Sequence, residues 1–165
     1  MPTFHPEKTP RTPRPIAVVA SRFNEELTGP LLSGCLSRLA ERGFAEKDVF
    51  VARVPGAFEV PVAARKLAHK KEGGLPHYCA IVCLGVLIRG ETPHFDYISQ
   101  ACSLGISQVA IETGVPCAFG VLTCNTEAQV LERLGGSFGH KGAEAADAAV
   151  DMAALFESIE DARAS

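Results

Sequence analysis

Three things that would narrow the function at once are missing: a strong charge of one sign, paired cysteines, and a long apolar run. Lys and Arg total 16 against 19 Asp and Glu, for a net charge of −3. That balance gives no reason to expect nucleic acid or an anionic membrane as partner, and an anionic ligand would need local donors. Six cysteines are scattered at Cys35, Cys79, Cys83, Cys102, Cys117 and Cys124, with no CxxC spacing. They read as reduced, mostly buried thiols of a cytoplasmic protein rather than a metal site. No segment has the apolar length of a membrane span. The opening MPTFHPEKTPRTPRP holds no apolar signal region, and its five prolines predict an extended or disordered arm over residues 1–15.

Familiar motifs are missing too. No GxGxxG follows the first apolar run, so a dinucleotide fingerprint is absent. In GGSFGHKG (Gly135–Gly142) a glycine follows Lys141 where a phosphate loop needs Ser or Thr. His69, His77, His94 and His140 show no HExxH or comparable metal pairing. There is no GxSxG elbow.

What remains alternates in type. Ile16–Ala20, Val49–Val54, Tyr78–Ile88 and Cys117–Thr123 are β-branched or apolar runs. Between them lie helical stripes: Leu31, Cys35 and Leu39; Ala64, Leu67 and Ala68; Ile98, Cys102, Ile106 and Val109. Thr126 with Gln129 has capping-box spacing and opens a short helix. Gly135–Gly142 reads as a glycine-rich loop, followed by an alanine-rich helix from about Ala143 to Ile159. Strands alternating with helices imply a parallel sheet covered on both faces. The expectation is a single α/β domain over residues 16–165, a three-layer sandwich of flavodoxin-like type with four parallel strands.

Such sheets bind ligands beyond the carboxyl ends of their strands. The loops there are Ser21–Asn24, Pro55–Glu59, Arg89–His94 and Thr123–Asn125. They bring aromatics, a carboxylate, an imidazole and an amide to one rim, which suits a flat, polar-edged ligand with proton transfer beside it. Thr92-Pro93 looks like an N-cap followed by proline at N1, and a helix N-terminus there would suit phosphate. His94 falls in that first turn, and imidazole is the side chain best suited to giving and taking protons near neutrality. The plainer alternative is that this segment only starts a helix. Arg89 reads as a structural ion pair.

Together the segments resemble the lumazine synthase family over Ile16 to about Phe156. The residues that carry the likeness are RFN (Arg22–Asn24), VPGAFEVP (Val54–Pro61), GVLIRGETPHFDYI (Gly85–Ile98), FGVLT (Phe119–Thr123), ER (Glu132-Arg133) and HKGAEAA (His140–Ala146). The resemblance implies condensation of 5-amino-6-(D-ribitylamino)uracil with 3,4-dihydroxy-2-butanone 4-phosphate, without metal or organic cofactor. It implies that Phe23 stacks on the pyrimidine and that Asn24, Phe119 and Lys141 contact the aminouracil. Ala57, Phe58 and Glu59 would line the ribityl chain, and Leu87 and Ile88 would form apolar wall. Glu91 and Thr92 would hold the phosphate with Arg133, and His94 would transfer protons.

The resemblance further implies pentamers with sites between neighbours, decamers or sixty-subunit shells in some members, and association with riboflavin synthase. The short Gly135–Gly142 loop matches shell-forming members. The proline-rich arm departs from the family pattern, since proline cannot donate to a strand ladder. His140 stands where the family commonly has asparagine. Rival readings are a flavin- or lumazine-binding protein without catalysis, a shell protein, or another enzyme condensing a phosphorylated ketone.

Overall fold

The structure is a computed structural model that describes residue 10 and residues 14–164. The proline-rich arm expected over residues 1–15 therefore lies almost wholly outside the described residues. Four strands form the sheet: β1 (Ile16–Ser21), β2 (Val49–Val54), β5 (Ile81–Ile88) and β6 (Cys117–Cys124). Their order is β2-β1-β5-β6 and every pairing is parallel. Five helices are described: α1 (Glu25–Glu41), α2 (Val60–Ala68), α3 (His94–Thr113), α4 (Glu127–Leu131) and α5 (Lys141–Ala164).

Side-chain alternation along β1 divides the interior in two. Ile16, Val18 and Ala20 join the core beneath α1 and α5, while Ala17 and Val19 join the one beneath α2 and α3. All five are fully buried, which explains why the strand reads as an unbroken apolar run. This is the expected flavodoxin-like three-layer sandwich. Among the described residues no helix is long and apolar enough to cross a membrane.

Two hairpins depart from expectation. Gly73-Gly74 turns β3 (Lys71–Glu72) into β4 (Leu75–Pro76), with φ of 58° and 86° at the two glycines. The stretch Gly135–Gly142 forms β7 (Leu134–Gly136) and β8 (Gly139–His140), and α5 then starts at Lys141, two residues earlier than expected. The apolar run starting at Tyr78 joins the sheet only at Ile81.

Candidate active site

The strand order reverses between β1 and β5, and the main cleft opens at their carboxyl ends. It encloses about 570 Å³ and draws its walls from the loops after β1, β2 and β5. Of the expected site residues, Phe23, Asn24, Ala57, Phe58, Glu59, Leu87, Ile88, Thr92 and His94 line it. Gly90, Phe95 and Ile98 complete the rim.

Each wall has a local cause. The loop after β1 is tied down by Arg22 N–H donating to Val54 O at 2.7 Å and Phe23 N–H donating to Pro55 O at 3.0 Å. Asn24 then turns the chain into α1 with φ 58° and ψ 48°, a left-handed conformation that asparagine tolerates. Its backbone oxygen accepts from Leu27 and Thr28, and its Nδ2 donates to Val86 O at 3.2 Å. That amide bond bridges the point where the strand order reverses and leaves the Phe23 ring 68% exposed over the cleft. On the opposite wall, Ala57–Glu59 is a 3-10 turn. Glu59 Oε2 accepts the Gly56 N–H at 2.9 Å, which orients the carboxylate beside the exposed Phe58 ring.

The β5–α3 turn differs in one detail from the sequence expectation. Pro93, not Thr92, is the capping residue of α3, with φ −68° and ψ 3°, and no side chain caps the helix. Pro93 O accepts from Asp96 and Tyr97, so the N–H groups of His94 and Phe95 precede the first intrahelical bonds. His94 therefore opens the helix, at the positive end of its dipole and on the cleft rim.

Arg89 braces this turn, as expected of a structural ion pair. Its two terminal nitrogens donate to the Asp96 carboxylate at 2.9 and 2.8 Å, and Nε donates to Asn125 Oδ1 at 3.1 Å. The guanidinium also lies 4.4 Å from the Phe95 ring centroid. The hydrogen-bonded guanidinium holds the Asp96 carboxyl below the usual carboxylate range, and the same bond raises Arg89. The expected Thr126 cap is present, with Oγ1 accepting from Gln129 N–H at 3.3 Å. The Gln129 side chain reaches past Thr126 to accept the Asn125 N–H at 2.7 Å.

Four expected residues do not line the cleft. Glu91 is exposed on the turn beside it. Phe119 and Lys141 line a separate shallow depression of about 330 Å³ with Glu144. Lys141 Nζ pairs with Glu144 at 2.7 Å. Arg133 lies 4.5 Å from the Phe138 ring centroid and donates to Gln129 O at 2.9 Å. The residues proposed to grip substrate thus fall into two separate groups on one chain. The ion-pair role of Arg89 is legible in the sequence, whereas Asp96 and Asn125 are partners that no residue type or spacing singles out.

A family model described as 6,7-dimethyl-8-ribityllumazine synthase matches residues 14–157. The chain belongs to the 6,7-dimethyl-8-ribityllumazine synthase family. It is 48% identical over 143 residues to the 6,7-dimethyl-8-ribityllumazine synthase of Desulfosudis oleivorans, covering 87% of this chain and 88% of that one. It is also 48% identical over 145 residues to the enzyme of the same name from Coxiella burnetii, covering 88% and 93% of the two chains. The matched span contains the cleft, the β7–β8 hairpin and most of α5. The relatives named for this transferase of riboflavin biosynthesis therefore match this chain across the stretches that carry both groups of residues.

Proposed function

We propose that the protein condenses 5-amino-6-(D-ribitylamino)uracil with 3,4-dihydroxy-2-butanone 4-phosphate, giving 6,7-dimethyl-8-ribityllumazine, phosphate and two molecules of water. The observation that carries the reading is the composition of the cleft: two exposed aromatics, an oriented carboxylate and an imidazole at a helix N-terminus, in a chain of this family.

In this reading the pyrimidine stacks on Phe23 against the Leu87–Ile88 wall, with Asn24 at its edge. Aromatic stacking suits a flat ring because both bury apolar faces at little entropic cost. The ribityl hydroxyls run along Ala57–Phe58 and donate to Glu59. The phosphate rests at the Glu91–Thr92 turn, where the free N–H groups that open α3 favour negative charge. His94 is within that same turn. It accepts a proton from the attacking amine and returns it to the hydroxyl that departs as water, once in each of the two dehydrations, while phosphate leaves as its anion. Holding two substrates side by side supplies much of the acceleration.

Phe119, Arg133 and Lys141 act in this scheme from a neighbouring subunit. Exposed apolar surface supports self-association: Ile111 is 81% exposed and Phe119 48% exposed. With Met152 and Phe156 they line a groove of about 550 Å³ along the unpaired edge of β6. A pentamer places one copy's exposed wall against the next copy's cleft, and shells or association with riboflavin synthase are extensions of that assembly. The six free cysteines suit a reducing, cytoplasmic compartment.

The test mixes the purified protein with both substrates and follows the fluorescent lumazine product. Product formation above the uncatalysed background is expected. A well-assembled protein that gives none would overturn the reading.

A further inference from the structure

His140 belongs to neither group of substrate residues, yet its ring occupies a site built for it. A Cβ placed on Gly34 of α1 would fall 1.9 Å from His140 Cε1 and 2.3 Å from Nε2. The imidazole is therefore seated in a notch that exists only because residue 34 lacks a side chain. On the other side, His140 Nδ1 accepts the Ala143 N–H in the first turn of α5 at 3.4 Å. That bond requires Nδ1 to present its lone pair to the first turn of α5. The bond is long, and the wedge between α1 and α5 is the tighter constraint. Two residues further on the chain is equally confined: a Cβ on Gly142 would lie 2.1 Å from Leu31 O.

The hairpin that carries His140 also links two substrate residues. His140 pairs with Leu134 across β7 and β8. Immediately below, Lys141 N–H donates to Arg133 O at 2.9 Å. Arg133 and Lys141 thus stand at the two feet of one hairpin. Its glycines take left-handed backbone conformations, with φ of 111° at Gly135 and 73° at Gly139. The turn is tied only to the Arg133 foot, by Phe138 N–H on Glu132 O at 3.1 Å and Ser137 N–H on Glu132 Oε2 at 3.0 Å, whereas the ring in the Gly34 notch pins the hairpin base to α1.

We propose that His140 is a positioning residue whose ring, wedged between Gly34 and the first turn of α5, sets Arg133 and Lys141 together and so serves both substrates at once. This rests on the reading of Arg133 as the phosphate residue and Lys141 as an aminouracil residue. It has a kinetic signature that loss of either contact alone lacks.

The experiment measures steady-state kinetics of the assembled enzyme with each substrate varied in turn. Arg133→Ala and Lys141→Ala serve as references: the first should raise KM for the butanone phosphate only, the second for the aminouracil only. His140→Ala should raise both KM values together, each by about tenfold, with a smaller change in kcat, because both contacts are misplaced and neither is removed. His140→Asn keeps an acceptor for the Ala143 N–H but leaves the notch empty, so it should recover part of the loss. Gly34→Ala closes the notch from the opposite side and should reproduce the paired rise without any substitution in the hairpin. The Gly34→Ala and His140→Ala pair should be far from additive, because the double variant removes the clash. Unchanged KM values in His140→Ala, or a rise in only one, overturn the proposal. If His140→Ala does not assemble, His140→Asn is judged by the same two KM values. If the reference variants fail to separate the substrates, the substrate reading has failed, and that is visible independently of any His140 variant.

Discussion

The two groups of candidate residues sit on contrasting surfaces. The cleft group is concave and held by backbone: Phe23 N–H on Pro55 O, Asn24 Nδ2 on Val86 O and Gly56 N–H on Glu59 fix its walls from three strand ends. The other group stands on an open face, and its charges are satisfied locally. Arg133 stacks on Phe138 and donates to Gln129, while Lys141 pairs with Glu144. The cleft can receive a ring by itself. The open face has cations and an aromatic but no opposing wall. In the proposed scheme one supplies a pocket and the other a facing wall, and a single chain does not bring them together. This contrast makes assembly part of the proposed chemistry.

Separating the two surfaces should have the largest effect. Ile111 lies in the apolar groove along β6, 81% exposed. Ile111→Glu puts a charge where an apolar contact is proposed, and burying an unpaired carboxylate costs several kcal/mol. The expected result is a dissociated protein with no activity above background, read by light scattering and product fluorescence. A dissociated variant that keeps full activity would show that one chain contains a complete site. Complementation tests the same contrast in the other direction. Co-assembled His94→Ala and Arg133→Ala chains should be more active than either variant alone, because some sites pair an intact cleft with an intact facing wall.

Changes within each surface should be smaller and differ in kind. His94→Ala removes the proton carrier at the α3 N-terminus and should lower kcat by about a hundredfold, at the low end for general acid–base catalysis because substrate approximation survives. Arg133→Ala should raise KM for the butanone phosphate by about tenfold to a hundredfold, matching the loss of a charge-assisted contact. Equal effects of both variants on kcat alone would erase the distinction between the two groups.

The sequence made the cleft legible and the open face much less so. Strand ends are visible as the points where apolar runs stop, and the residues just beyond them, Phe23, Phe58, Glu59 and His94, fall on one rim whenever the strands are parallel. The Thr126 cap was legible for a similar reason, since its partner lies three residues along the chain. The β3–β4 and β7–β8 hairpins are two or three residues per strand, too short to show an alternating pattern. The α3 start was displaced from Thr92 to Pro93 because both residues fit helix-entry chemistry and only the first backbone acceptor decides between them. The seat of His140 was not legible, because it depends on the missing side chain of Gly34, more than a hundred residues away.

The smallest expected effect concerns the cores on which the two surfaces rest. Each core contains three thiols: Cys35, Cys79 and Cys124 beneath α1 and α5, and Cys83, Cys102 and Cys117 beneath α2 and α3. Burial disfavours the thiolate and pushes Cys35 and Cys117 up to about 12 and Cys79 and Cys102 up to about 11. Cys83 is raised as well, first by burial and then by its thiol neighbours Cys117 and Cys102. The same groups titrate near 8.5 in an unfolded chain. Between those limits the folded protein keeps its protons and the unfolded chain loses them, so stability is complete below about pH 8 and falls as pH rises toward 12. Urea midpoints should accordingly be flat through neutrality and decline above pH 9. Alkylation would sharpen the comparison between cores. Cys124 is also raised by burial, but Arg133 opposes the shift, whereas the thiols beside Cys83 add to its rise. Cys124 should therefore be the first of the two to react as pH climbs, which mass spectrometry of the labelled peptides would read directly. Earlier labelling of Cys83 would place the looser core beneath the cleft and count against a cleft held more firmly than the open face.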